Sequence, residues 1–308
     1  MFLNQINAQS ATRPKNLADV NFTEKTDLEN IIDELINSAK DSYSASLPLM
    51  ASASTGDKTR YTITLANMLN ALDSLDNTSE DTSKWMQNNS FKAWMWGRIV
   101  LAADSMGDSP TVIKAQKKLE EFLAKNFADN DSFAFFTWAW GYHAAINQKE
   151  YQISKKIMLE GAMTLTKKYN ASGNHAMLSD ALWAWVMNLQ AAAYVADQKS
   201  YDWIKEQIKS IAGKNSVTLS LEKGLLRTAQ SNDYPAWAMA KVRYAAIVIN
   251  DKELYQEIET SLLGSIDGAL KGNAKAEYAL SILDNQLAIL AYQYLGMENR
   301  VSSSFKLK

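Results

Sequence analysis

The chain has no cysteine, only two histidines (His143 and His175), and only four prolines and twelve glycines in 308 residues. Without cysteine there is no thiol nucleophile, disulfide, or thiolate-held zinc or iron–sulfur centre. Two histidines make a multi-histidine metal site unexpected, and no metal or cofactor is expected at all. Scarce proline and glycine remove the usual breakers of long helices. Charge of one sign is lacking too, with 32 Lys and Arg against 34 Asp and Glu. The cations are scattered, so nucleic acid is not an expected partner. No apolar run reaches the roughly 18 residues of a membrane span, so no membrane association is expected. The opening "MFLNQINAQSATRPKN" has neither a charged n-region nor an apolar h-region and is not read as a signal peptide. The expected location is periplasmic or secreted if a leader was removed, and otherwise cytoplasm or virion.

What is present favours helix. The chain is 47% hydrophobic, enough for a sizeable core, and no run alternates with period 2. The expected class is all-α. Residues 1–20 read as a polar N-terminal arm and 21–308 as a single domain. Leu28, Ile31, Ile32, Leu35 and Ile36 predict a helix over 24–40, and "MASASTGDKTR" at 50–60 reads as the most loop-like interior stretch.

The domain repeats itself. Apolar segments led by Trp94, Trp138, Trp183 and Trp237 recur at steps of 44, 45 and 54 residues, with a weaker copy from Glu277. Each is followed by a polar turn and a more amphipathic helix, at 112–125, 151–168 or 200–212. Two helices per period predict an array of helical hairpins, either an incomplete α/α toroid or an open α-solenoid. Clusters of Asn, Asp and Ser precede the apolar helices: Asn88-Asn89-Ser90, Asp129 to Ser132, Ser172-Gly173-Asn174 with Ser179-Asp180, and Ser231-Asn232-Asp233. Such residues cap first turns. In an array whose equivalent helices run one way, their N-termini gather on one rim, and the dipole ends there suit an anion.

Arg227 and Tyr234 fall on that rim, with Asp233 expected to cap a helix from Tyr234 to about Ile249. A guanidinium can hold a carboxylate with two parallel hydrogen bonds, and a phenol beside it can transfer a proton. Those parts suit elimination across a uronic acid; the alternative is an Arg closing a helix end and a Tyr packed on Trp237. His175, in the polar stretch "NASGNHAM", is read either as functional or as a loop histidine. His143, following Trp138, Trp140 and Tyr142, reads as a satisfied histidine near the core. Of the Trp-x-Trp pairs at 94/96, 138/140 and 183/185, one member should be core. Trp96, Trp140 or Trp237 could line an inner wall as a sugar platform, with Arg98, Lys241 and Arg243 adding positive field.

The segment "SYDWIKEQIKSIAGKNSVTLSLEKGLLRTAQSNDYPAWAM" from Ser200 resembles the alginate lyase family (polysaccharide lyase family 5). The likeness rests on Asp202-Trp203, Leu219 and Glu222 before Arg227, and an Asp-Tyr step seven residues after the Arg. "DNQLAILAYQY" from Asp284 is similar to the family's closing helix, so the resemblance spans about residues 180–295. It implies a single-domain α/α toroid cleaving acidic polysaccharide by β-elimination without a required metal. By that likeness Arg227 neutralises the uronate carboxylate and Tyr234 is the acid. The family's Asn-Asn-His has no ungapped match: Leu178-Ser179-Asp180 stands there, and the nearest Asn-His is Asn174-His175. The family's loop lysine is matched only by Lys58. The expected site is therefore Tyr234, Arg227 and His175 as catalytic residues, with Asn174, Asp180, Trp140, Trp237 and Arg98 binding an anionic polysaccharide. The competing expectation is a non-catalytic repeat protein that binds a protein partner.

Overall fold

Ala, Leu, Met and the Trp-led apolar runs have nowhere to end except at a few turns, and helix follows. The structure, a computed structural model, describes residues 33, 36–37, 39, 41–76, 89–125, 133–147, 149–225, 233–258 and 260–261. Among them every element is a helix. We label these α1 (Ser42–Thr55), α2 (Lys58–Asp76), α3 (Asn89–Met106), α4 (Ser109–Leu123), α5 (Phe133–Ile146), α6 (Tyr151–Ser172), α7 (His175–Tyr194), α8 (Gln198–Ala212), α9 (Val217–Leu225) and α10 (Asp233–Ile249). The expected polar arm and the copy from Glu277 lie outside the described residues, as does nearly all of the helix expected at 24–40.

The loop expected at 50–60 is a correction. Helix α1 runs through it to Thr55, and only Gly56 and Asp57 separate it from α2. Ser52 removes the pressure to break the helix by turning its hydroxyl back onto the Pro48 carbonyl at 2.7 Å. Gly56 ends the helix because its φ of 72° is a left-handed conformation that a Cβ would penalise.

Helices α1, α3, α5, α7 and α10 each pack on the next in that series, while α2, α4, α6 and α8 each fold back on the helix before them. This is a chain of helical hairpins with an inner and an outer layer. The inner helices run in the same direction and in register. Phe91 meets Phe135 (5.5 Å between ring centroids), Trp94 meets Trp138 (5.3 Å) and Trp138 meets Trp183 (6.2 Å), all near one repeat length apart in sequence. A constant offset along the helix length is possible only for parallel neighbours. Small residues make the approach possible: a Cβ on Gly97 would stand 2.8 Å from Tyr142 Cβ, and one on Gly141 would stand 2.9 Å from Met187 Cβ. Trp94, Trp96, Trp138 and Trp185 are buried in this layer, so both members of the first Trp-x-Trp pair are core.

A second device ties the outer helices together. Four of the turns from an inner to an outer helix, the last leading into a further outer helix over 252–258, are a left-handed residue followed by an aspartate: Gly56-Asp57, Gly107-Asp108, Ala196-Asp197 and Asn250-Asp251. Asp108 and Asp197 cap α4 and α8 by accepting from the Thr111 and Ser200 N–H groups. Each also accepts a phenol from the preceding outer helix, Tyr61 to Asp108 at 2.9 Å and Tyr151 to Asp197 at 3.0 Å. Tyr201 takes the equivalent place beside Asp251, where burial and that charge raise its phenol, though its hydroxyl makes no hydrogen bond there. Lysines four residues after two of the tyrosines join in, Lys155 to Asp197 and Lys205 to Asp251. Burial alone would raise the Asp197 carboxyl, but hydrogen bonds from Lys155, Ser200 and Tyr151 outweigh it and bring it down to about 2.

Two outcomes follow for stability. Gly97→Ala should lower it by about 1 kcal/mol or more, because overpacking against Tyr142 exceeds the propensity gain of Ala over Gly. A urea melt that shows a gain would contradict the in-register contact. Because the Asp197 carboxyl is depressed on folding, its contribution is present above its ordinary value near 3.8 and is lost as pH falls through about 2. The stability difference between wild type and Asp197→Asn should therefore be about 1–2 kcal/mol at neutral pH and shrink between pH 4 and 2 in paired denaturation series.

Candidate functional site

The inner helices start along one edge, and α7 shows how that edge is built. Gly173 closes α6 with φ 64°, and Asn174 caps α7 by accepting from the Ala176 N–H at 2.9 Å. His175 is therefore the first residue of a helix, not part of a loop, and it is exposed. Its Nε2 lies 3.1 Å from the Lys223 carbonyl in the last turn of α9. A carbonyl can only accept, so Nε2 carries the proton, and in the neutral ring Nδ1 keeps its lone pair. Helix α9 in turn packs on α7, α8 and α10. The start of α7, the end of α9 and α10 are thus mutual neighbours. Ser179 and Asp180 are a correction as cap residues: they lie inside α7, Ser179 buried and Asp180 half-buried. Five residues of helix put Asp180 about 140° round the axis from His175.

Of the residues expected to act with His175, Arg227 lies outside the described residues. Tyr234 and Trp237 fall in the first turns of α10, their side chains outside the described set. Asp233 is the first residue of α10 rather than its cap. Lys58, the loose match to the family's loop lysine, opens α2 and is exposed.

Arg98 and Trp140 are not displayed on an open wall. Trp140 is half-buried, edge-on to Phe136 (6.3 Å) and His143 (5.2 Å). Arg98 is 4% exposed, its guanidinium carbon 4.1 Å from the centre of the Trp94 ring and 5.5 Å from that of Tyr43. It donates to Ser46 Oγ and interacts with the Tyr142 phenol. Lys241, equally buried, donates to the same phenol oxygen at 3.3 Å. Arg98, Tyr142, Met187 and Lys241 each stand four residues after a leading tryptophan, so one repeat position makes a polar line across α3, α5 and α10. Burial pushes the Tyr142 phenol up, but Lys241 and Arg98 outweigh it, and the net shift is downward. The sequence pointed to Arg98 and Lys241 together as positive field at an inner wall, not as buried partners of Tyr142; the shared position after each Trp was the available signal.

His143 is buried as expected, but it is also part of a cluster the sequence reading missed. Its Nδ1 is 2.7 Å from Ser154 Oγ, and its Nε2 is 3.3 Å from Glu120 and 3.9 Å from Glu150. Among the described residues no helix is long and apolar enough to cross a membrane. Compared with protein-family models, curated proteins and solved structures, the chain matches none.

Tyr142→Phe should cost about 1–3 kcal/mol, because it strips two buried cations of an acceptor. Lys241→Met removes a buried charge together with its desolvation penalty and should cost less, within about 1 kcal/mol of wild type. Chemical denaturation of the two variants checks the order; the reverse order would mean that the phenol is not what offsets the charges.

Proposed function

We propose that this chain is a helical-hairpin array that acts on an anionic, uronate-containing polysaccharide by β-elimination, along the edge where the inner helices begin. The observation that carries the reading is the hydrogen bond from His175 to the Lys223 carbonyl. It ties an exposed imidazole at a helix N-terminus to the strand of sequence that leads, four residues later, to Arg227 and then to Tyr234 in the first turn of α10. In this reading Arg227 pairs with the uronate carboxylate and makes the C5 proton more acidic. The Nδ1 lone pair of His175 takes that proton. The C5–H electron pair forms the C4–C5 double bond as the C4–O4 bond breaks, and Tyr234 gives its proton to the leaving O4. Asn174, Asp180 and Trp237 border the same helix starts and bind the chain; Arg98 and Trp140 support the inner layer behind them. The hairpins curve as an incomplete α/α toroid around the substrate.

A second reading, a non-catalytic array that binds a protein partner, draws on one observation. Ile63, Ile153 and Trp203 each stand two residues after the clamp tyrosines Tyr61, Tyr151 and Tyr201, and each is at least 42% exposed. Large apolar side chains recurring in the open on several outer helices, here α2, α6 and α8, are what a partner-binding face presents.

Incubation with alginate and other polyuronates should raise absorbance near 235 nm as the unsaturated product forms. His175→Ala and Tyr234→Phe should abolish that rise while stability stays within about 1 kcal/mol of wild type. No rise from the wild-type chain across a polyuronate panel moves the assignment to the partner-binding reading.

A further inference from the structure

A different part of the molecule brings together a divalent-cation site. Its three polar groups come from three helices: Glu120 in the last turns of α4, His143 in the last turn of α5, and Glu150 just ahead of α6. One oxygen from each glutamate and His143 Nε2 lie within 4.8 Å of one another. The imidazole side chain is 2% exposed, while the two carboxylates are 46% and 57% exposed. A fixed nitrogen therefore points out of the core at two acceptors that are open to water.

The distances suit ligands better than hydrogen-bond partners. A good N–H···O bond is about 2.7–3.2 Å, so Glu120 at 3.3 Å is stretched and Glu150 at 3.9 Å makes none. Ligand atoms around a tetrahedral ion with bonds of about 2.0–2.1 Å lie about 3.3–3.5 Å apart. The two measured edges stand at and just above that range, and the exposed Glu150 side chain is free to close the wider one.

The surroundings are those of a ligand set. His143 Nδ1 is held 2.7 Å from Ser154 Oγ, a fully buried hydroxyl on α6. With Nδ1–H donating to that oxygen, the Nε2 lone pair is left facing two carboxylates, an arrangement that a cation between them stabilises. Glu120 is oriented in turn by Gln116, whose Nε2 donates to its Oε1 at 3.1 Å. Glu150 occupies the N-cap position of α6, yet its side chain makes no capping hydrogen bond. Its carboxylate is turned toward the imidazole instead.

We propose that Glu120, His143 and Glu150 bind a divalent transition-metal ion of the zinc class, with Ser154 and Gln116 orienting the first two ligands and water completing the coordination. One imidazole and two carboxylates fit such an ion, and the mixed donor set does not require the several histidines whose scarcity argued against a metal. The site is independent of the proposed elimination chemistry, which uses the edge of helix starts and no metal.

The test is titration of the full chain, freed of metal by a chelator, with ZnCl2, followed by calorimetry and by thermal melting. One equivalent should bind and raise the melting temperature, and Co2+ in its place should give visible absorption bands of tetrahedral strength. Glu150→Gln, an exposed and well-tolerated change, should weaken Zn2+ binding at least about tenfold, and Ser154→Ala by about tenfold through the ring it orients. His143→Ala should abolish binding; if that variant does not fold, Glu120→Gln with Glu150→Gln replaces it. Absence of stoichiometric binding overturns the proposal. So does binding that Glu150→Gln and the double glutamine variant leave unchanged, which would put the ion elsewhere.

Discussion

The arrangement rests on parallel inner helices touching at a fixed offset of about one repeat. That offset is set where a glycine on one helix receives a side chain of the next, Gly97 under Tyr142 and Gly141 under Met187. Glycine inside a helix costs about 1 kcal/mol relative to alanine, so two in equivalent places call for a packing gain. The gain is close approach. It lets Phe91, Trp94, Phe135 and Trp138 meet edge to face instead of holding the backbones apart.

Once the inner register is set, the outer helices have little freedom. Two to four residues separate each from the inner helix before it, and aspartates at these turns serve several groups together: at Asp197 a backbone N–H, a phenol from the previous hairpin and an ammonium. One carboxylate thus fixes a helix start and its spacing from the preceding hairpin. Ala196 and Asn250 show the constraint from the backbone side. Both hold positive φ at the junction where Gly56 and Gly107 stand in other repeats. A left-handed alanine is costly, and it persists because the cap and the clamp beyond it would be lost if the turn relaxed.

The repeat was legible because tryptophans are rare and large, and three of the leading ones pack on each other along the inner layer, so their spacing reports the hairpin length directly. The helices expected near 112–125, 151–168 and 200–212 appear as α4, α6 and α8 within a few residues. The stretch 50–60 was misread because Ser, Thr and Gly mark loops by composition, whereas Ser52 satisfies itself against its own helix. The clamp had a signal that went unused: "DKTRY", "NQKEY", "DQKSY" and "DKELY" begin four outer helices. The cluster around His143 had none. Its members are separated by 23 and 7 residues on different helices, and only the crossing of those helices brings them together.

The polar line through Arg98, Tyr142 and Lys241 has an explanation in what apolar packing cannot do. A layer of alanines, leucines and tryptophans repeats closely enough that one helix could slide by a turn, about 5.4 Å, and still bury most of its surface. Such a slide would carry the phenol away from both cations. Two charges would then be left in an interior where an uncompensated ion costs several kcal/mol. The line adds little to the stability of the correct register, since desolvation of the two cations consumes much of the electrostatic gain. It acts by raising the energy of the wrong registers. For that reason it joins helices of different hairpins, α3, α5 and α10, at the repeat position whose displacement would mark a slip.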